Sequence, residues 1–111
     1  PTRRSSDLDS YSAAEFFAAA LREYDWATVV GEPTTGKARS QVTIELADGS
    51  AVHLSKFSYL TPKGVDLYEA GGIVPDVVAE MTEEERSSFD TGWLEPEADP
   101  QIQAALDVLS P

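Results

Sequence analysis

Between Ala13 and Tyr24 the apolar positions are Ala13, Phe16, Phe17, Ala20, Leu21 and Tyr24. That i, i+3, i+4, i+7, i+8, i+11 series is the stripe of an amphipathic helix. Ser12 stands where the N-cap belongs, and Glu15 three residues later completes a Ser-x-x-Glu capping box. The run Ala27-Thr28-Val29-Val30-Gly31 is short, apolar and β-branched, and predicts a buried strand. Pro33 and Gly36 mark the loop after it. Gln41-Val42-Thr43-Ile44-Glu45-Leu46 alternates with period two, Asp48-Gly49 is a hairpin turn signal, and residues 51–59 read as the returning strand. Val52 and Leu54 lie in one phase and Phe57 and Tyr59 in the other, which predicts a bulge near Ser55.

The remainder of the chain is less regular. Thr61-Pro62-Lys63-Gly64 is a turn, residues 65–70 an irregular connection, and residues 71–78 lead into a short strand that Pro75 assigns to a sheet edge. Thr82-Glu83-Glu84-Glu85 is a second capping box, predicting a helix to about Phe89. A loop over residues 90–98 follows, with Trp93 and Leu94 expected to dock on the domain. Asp99 caps a last helix with Pro100 at its first position, whose apolar face is Ile102, Ala105, Leu106 and Leu109. These elements predict an α/β chain with acidic helices at its C-terminal end.

Composition narrows the function classes. Eight Lys and Arg stand against 20 Asp and Glu, a net charge of −12, which disfavours nucleic acid and anionic membrane surfaces as partners. With no cysteine and one histidine there is no spacing of soft metal ligands. The sequence from Pro1 to Leu8 translates, codon for codon, one reading frame of a common sequencing adapter, CCT ACA CGA CGC TCT TCC GAT CTN. It is therefore read as an adapter-derived tail over residues 1–8, with natural sequence from about Asp9.

Two positions carry candidate chemistry. Ser12 presents a hydroxyl at a helix start and Lys37 an amine at the end of a loop, and a desolvated lysine can act as base for a serine nucleophile. The competing reading of Ser12 is a helix cap. The competing reading of Lys37 is a phosphate loop, because Gly31-x-x-x-x-Gly36-Lys37 has Walker A spacing. Ala38 replaces the magnesium-binding hydroxyl, however, and a strand follows where a phosphate loop needs a helix. His53 reads as a solvated strand residue.

Taken together, Ser10-Tyr11-Ser12-Ala13-Ala14-Glu15, Val30-Gly31-Glu32-Pro33-Thr34-Thr35-Gly36-Lys37 with Gln41, Tyr59-x-Thr61-Pro62-x-Gly64 and Gly72-Ile73-x-Pro75-Asp76 resemble the active-site segment of the C-terminal-processing, or tail-specific, serine peptidases. The resemblance implies a fragment of a crotonase-like (ClpP/crotonase-type) domain over residues 9–80, followed by an acidic helical extension over residues 81–111. It also implies Ser12 as nucleophile, Lys37 as base, Gln41 as assisting residue and the Ala13 N–H as one oxyanion donor. Protein C-terminal tails would be the substrate, no cofactor would be required, and the location would be outside the cytoplasm. A PDZ domain and a glycine-rich loop supplying the second oxyanion donor are expected before Asp9, so the fragment alone should be inactive. Tyr11, Ala14, Ala38 and Val65 depart from the family pattern without removing a catalytic group. A non-catalytic binding or scaffold relative of the same fold stays open.

Overall fold

The computed structural model describes residues 11–110, so the adapter reading at residues 1–8 falls outside the described residues. Helix α1 (Ala13–Glu23) is followed by the short strand β1 (Val30–Gly31), the hairpin β2 (Arg39–Glu45) and β3 (Ala51–Ser58), and strand β4 (Val77–Val78). Helices α2 (Glu83–Asp90) and α3 (Pro100–Leu109) close the described chain, with a 3₁₀ turn (Pro96–Ala98) between them. β1 pairs in parallel with β4, and β2 pairs antiparallel with β3. The hairpin closes where Leu46 N–H donates to Ser50 C=O at 2.8 Å and Asp48 Oδ1 accepts from the Ser50 N–H at 3.0 Å.

Several expectations shift. Only Val30 and Gly31 of the five-residue run form strand, and Ala27 and Thr28 are exposed, because β4 offers a parallel partner for just those two residues. In the hairpin Ser40 pairs with Phe57 and Gln41 with Ser55, leaving Lys56 as the bulged residue beside the expected position. Thr82 caps α2, accepting from the Glu85 N–H at 3.2 Å. Asp99 caps α3, accepting from Gln101 and Ile102 N–H at 2.9 and 3.1 Å. Trp93 does not dock: it is 81% exposed, and Leu94 turns inward instead. The face of α3 is covered at Ile102 and Ala105, whereas Leu109 stays 71% exposed.

The small core consists of Ala19 of α1, Ala38, Leu67 and Ile73, with Ala18, Val29 and Tyr59 packed against it. Helix α1 therefore leaves part of its apolar stripe in the open, although Phe16 is half-buried. Phe17 and Tyr24 are 59% and 62% exposed, while Glu15 and Ala19, one turn apart, are the buried positions. A carboxylate goes inward only when its surroundings supply enough donors to replace water. Here the chain after β1 supplies them.

Candidate active site

Helix α1 gathers three later segments through three of its polar side chains. Glu15, 1% exposed, accepts through Oε1 from the Gly36 N–H at 2.6 Å and the Thr34 hydroxyl at 2.5 Å. Through Oε2 it accepts from the Lys37 N–H and the Ser12 N–H, each at 2.9 Å. Glu23, two turns on, accepts from the Lys63 N–H at 2.8 Å and from the Thr61 hydroxyl, holding the Thr-Pro-x-Gly turn. Arg22 Nε donates to Asp76 Oδ1 at 2.9 Å and its Nη1 to the Val74 carbonyl at 2.8 Å, while Asp76 Oδ2 accepts from the Val29 N–H at 2.9 Å. The Val29 N–H, and after it Arg22, hold the Asp76 carboxyl below its ordinary range against the opposing effect of desolvation.

The loop over residues 34–37 can reach Glu15 only because two backbones approach without side chains. Gly36 has φ +74°, and a Cβ there would lie 2.7 Å from the Gly72 nitrogen. Gly72 has φ +100°, and a Cβ there would lie 2.3 Å from the Thr34 carbonyl oxygen. Both need glycine for conformation and for space. Thr34 completes the junction, its hydroxyl accepting from the Ile73 N–H at 2.8 Å.

Ser12 has φ 60° and ψ −116°, a left-handed conformation that a residue with a Cβ adopts at a cost of about 1–3 kcal/mol. Ser12 and Glu15 have the arrangement of a capping box, yet the Ser12 hydroxyl makes no cap hydrogen bond; it pairs with the Tyr59 hydroxyl. The adjacent Ala13 N–H, at the first position of α1, has no acceptor among the described residues, and a free donor at a helix N-terminus suits an oxyanion.

Lys37 is exposed, and its Nζ lies 4.5 Å from the centroid of the Tyr11 ring. The expected burial of the amine is not seen. Ser12 Oγ and Lys37 Nζ make no hydrogen bond to each other among the described residues; each faces a tyrosine instead. Gln41 Oε1 accepts from His53 Nε2 at 3.1 Å, and His53 Nδ1 pairs with the Thr43 hydroxyl at 2.9 Å. The structure therefore brings the Ser12 and Lys37 backbones together on one carboxylate, while the Gln41 amide is engaged within the hairpin. Residues 39–45 form a strand, and Ala38 is 1% exposed, so the Walker-like spacing has neither the helix nor the hydroxyl that phosphate and magnesium require.

Glu15 and Tyr59 were not singled out by sequence as site residues. Glu15 carried a sufficient local explanation as a capping residue, and Tyr59 was one member of a strand phase. The only signal was their membership in the recurring motifs.

A model of the family "Peptidase family S41" matches residues 7–79. The chain is 40% identical over 99 residues to a carboxyl-terminal-processing protease of Synechocystis sp., covering 89% of this chain and 22% of that protein. It is 41% identical over 66 residues to a chloroplastic C-terminal processing peptidase of Tetradesmus obliquus, covering 60% of this chain and 14% of that one. Among solved structures it is similar to a photosystem II D1 C-terminal processing protease, with TM-score 0.60 and 32% identity, over 86% of this chain and 24% of the other. The fold is thus mixed α/β and resembles part of a C-terminal processing protease. The chain spans about a fifth of the length of the Synechocystis relative.

Proposed function

The chain belongs to peptidase family S41, and from that membership we propose that the protein carrying it is a serine endopeptidase that cleaves other proteins near their C-termini. In this reading Ser12 is the nucleophile and Lys37 the base, Gln41 helps to hold the lysine, and the Ala13 N–H is one of two oxyanion donors. The observation that carries it is the Glu15 carboxylate, which binds the backbone N–H groups of Ser12 and Lys37 at the same oxygen and so fixes the origins of both side chains. As Ser12 Oγ bonds to the scissile carbonyl carbon its proton passes to Lys37 Nζ, and the carbonyl electron pair moves onto oxygen toward the Ala13 N–H. Lys37 then protonates the leaving amine, and water releases the acyl group. No cofactor enters the cycle.

For that step Lys37 has to leave the Tyr11 face and Gln41 has to leave His53. The upstream half of a crotonase-like domain, with the second oxyanion donor and a PDZ domain, would supply the enclosure that desolvates the amine. Residues 81–111 would be a helical extension. No helix among the described residues is long and apolar enough to cross a membrane. The location proposed for the parent protein, outside the cytoplasm, rests on the family resemblance.

A non-catalytic relative of the same fold is favoured by one specific observation, that the Ser12 hydroxyl and the Lys37 amine each face a tyrosine. Cleavage of a peptide with a free C-terminus by the full-length protein decides between the two. Ser12→Ala and Lys37→Ala are expected to abolish cleavage while leaving the fold intact by circular dichroism, and Gln41→Ala to reduce it less. Undiminished cleavage by a folded Lys37→Ala variant would remove the dyad.

A further inference from the structure

Within the dyad reading, on which this inference rests, we propose that Tyr59 is a further functional residue: its phenol donates a hydrogen bond to Ser12 Oγ and stabilises the negative charge that builds on that oxygen during acylation and deacylation. The hydroxyls of Ser12 and Tyr59 are direct hydrogen-bond partners, 47 residues apart in sequence. The phenol is held there by independent contacts. Tyr59 N–H donates to the Ala38 carbonyl at 3.3 Å, next to Lys37. Its ring meets Phe16, one turn beyond Ser12 on α1, edge to face at 6.2 Å and 86°. Its body packs on the Ala19, Ala38, Leu67 and Ile73 cluster. Two residues on, Thr61 is tied to Glu23 of the same helix.

The direction of the bond follows from proton accounting. Ser12 has one hydroxyl proton, and in the dyad that proton leaves toward Lys37. A tyrosine facing the same oxygen must then be the donor. As the Ser12 proton moves to Lys37 Nζ and the Oγ–carbon bond forms, Tyr59 keeps its own proton and offsets charge on Oγ. In deacylation the carbon–Oγ bond breaks, Oγ leaves with the electron pair and recovers a proton from the Lys37 ammonium, and the phenol again donates to it. A fixed donor aimed where charge develops contributes most when it need not reorganise, and the contacts around Tyr59 meet that condition.

The test uses the full-length protein and a peptide with a free C-terminus, comparing Ser12→Ala, Lys37→Ala, Tyr59→Phe and a protein with 3,5-difluorotyrosine at position 59. Tyr59→Phe keeps the ring and removes only the hydroxyl. It is expected to lower kcat by about 10- to 100-fold with KM within about twofold, in the range that single polar groups contribute to acyl transfer. The 3,5-difluorotyrosine protein keeps the ring and the hydroxyl and makes that hydroxyl a stronger hydrogen-bond donor, and its kcat should differ from that of the wild type by more than about twofold with KM unchanged. A purely structural tyrosine would not lower kcat while leaving KM in place. If Ser12→Ala and Lys37→Ala are inactive while Tyr59→Phe keeps kcat within about twofold, the assignment of Tyr59 is overturned and the dyad stands. Should either dyad variant cleave normally, both fall. If Tyr59→Phe fails to fold, the fluorinated protein decides alone, and a kcat within about twofold of the wild type refutes the proposal.

Discussion

Replacing Glu15 by glutamine tests the organisation of the whole site with the change of a single atom. The carboxylate accepts four hydrogen bonds, two from backbone N–H groups at Oε2 and one backbone and one hydroxyl donor at Oε1. A glutamine supplies one acceptor oxygen. Its NH₂ is best placed toward Thr34, whose hydroxyl can turn and accept, because the Ser12 and Lys37 N–H groups cannot reverse. That arrangement leaves the Gly36 N–H buried without a partner, at about 1–3 kcal/mol, and weakens the other bonds from charge-assisted to neutral, about 1 kcal/mol each. Relief from burying a charge offsets part of this. The net expectation is a loss of about 3 kcal/mol, a large share of a stability of roughly 5–15 kcal/mol.

Native-state hydrogen exchange on the full-length protein measures the effect where it arises. Protection of the Ser12, Gly36 and Lys37 amides should fall by about a hundredfold, since about 1.4 kcal/mol is a factor of ten. Amides of the β2–β3 hairpin, which Glu15 does not touch, should change less. Tail cleavage should drop with the same variant, although Glu15 meets no substrate, because the Ser12 and Lys37 backbones lose their common anchor. If Glu15→Gln leaves protection at these three amides unchanged, the carboxylate is not what joins the two segments.

Gly72→Ala places a Cβ against the Thr34 carbonyl at a positive φ, and should lower stability by more than about 1 kcal/mol in urea unfolding; an unchanged midpoint would contradict the close approach. The depressed Asp76 carboxyl contributes stability that is fully present above the ordinary value of 3.8 and is lost as pH falls through the lower folded value. Asp76→Asn should reduce that acid dependence, measured by the denaturation midpoint between about pH 2 and pH 5. ATP with magnesium at millimolar concentration should give no saturable heat, because Lys37 leads into a strand and Ala38 has no hydroxyl for the metal.

Local pattern was enough for the elements. The 3.6-residue spacing of α1, the period-two alternation and Asp-Gly turn of the hairpin, and the capping residues Thr82 and Asp99 each act through neighbours a few residues away, so the sequence states them directly. The order of the motifs placed the chain in its family and drew attention to Ser12 and Lys37. Which groups meet was decided only by tertiary structure. Glu15 is written as a helix cap, and it becomes the buried anchor of residues 34–37 because Gly36 and Gly72 let two backbones close on it. Hydrophobicity pointed to Phe17 and Tyr24 as inward residues and to Trp93 as docked, yet all three are exposed, since four donors around Glu15 fix the rotation of α1 and no surface among the described residues covers those rings. The Ser12 hydroxyl, a plausible cap by position, faces Tyr59 through a contact between segments 47 residues apart. No periodicity encodes such a contact, because it depends on how a hairpin and a helix pack on a common core.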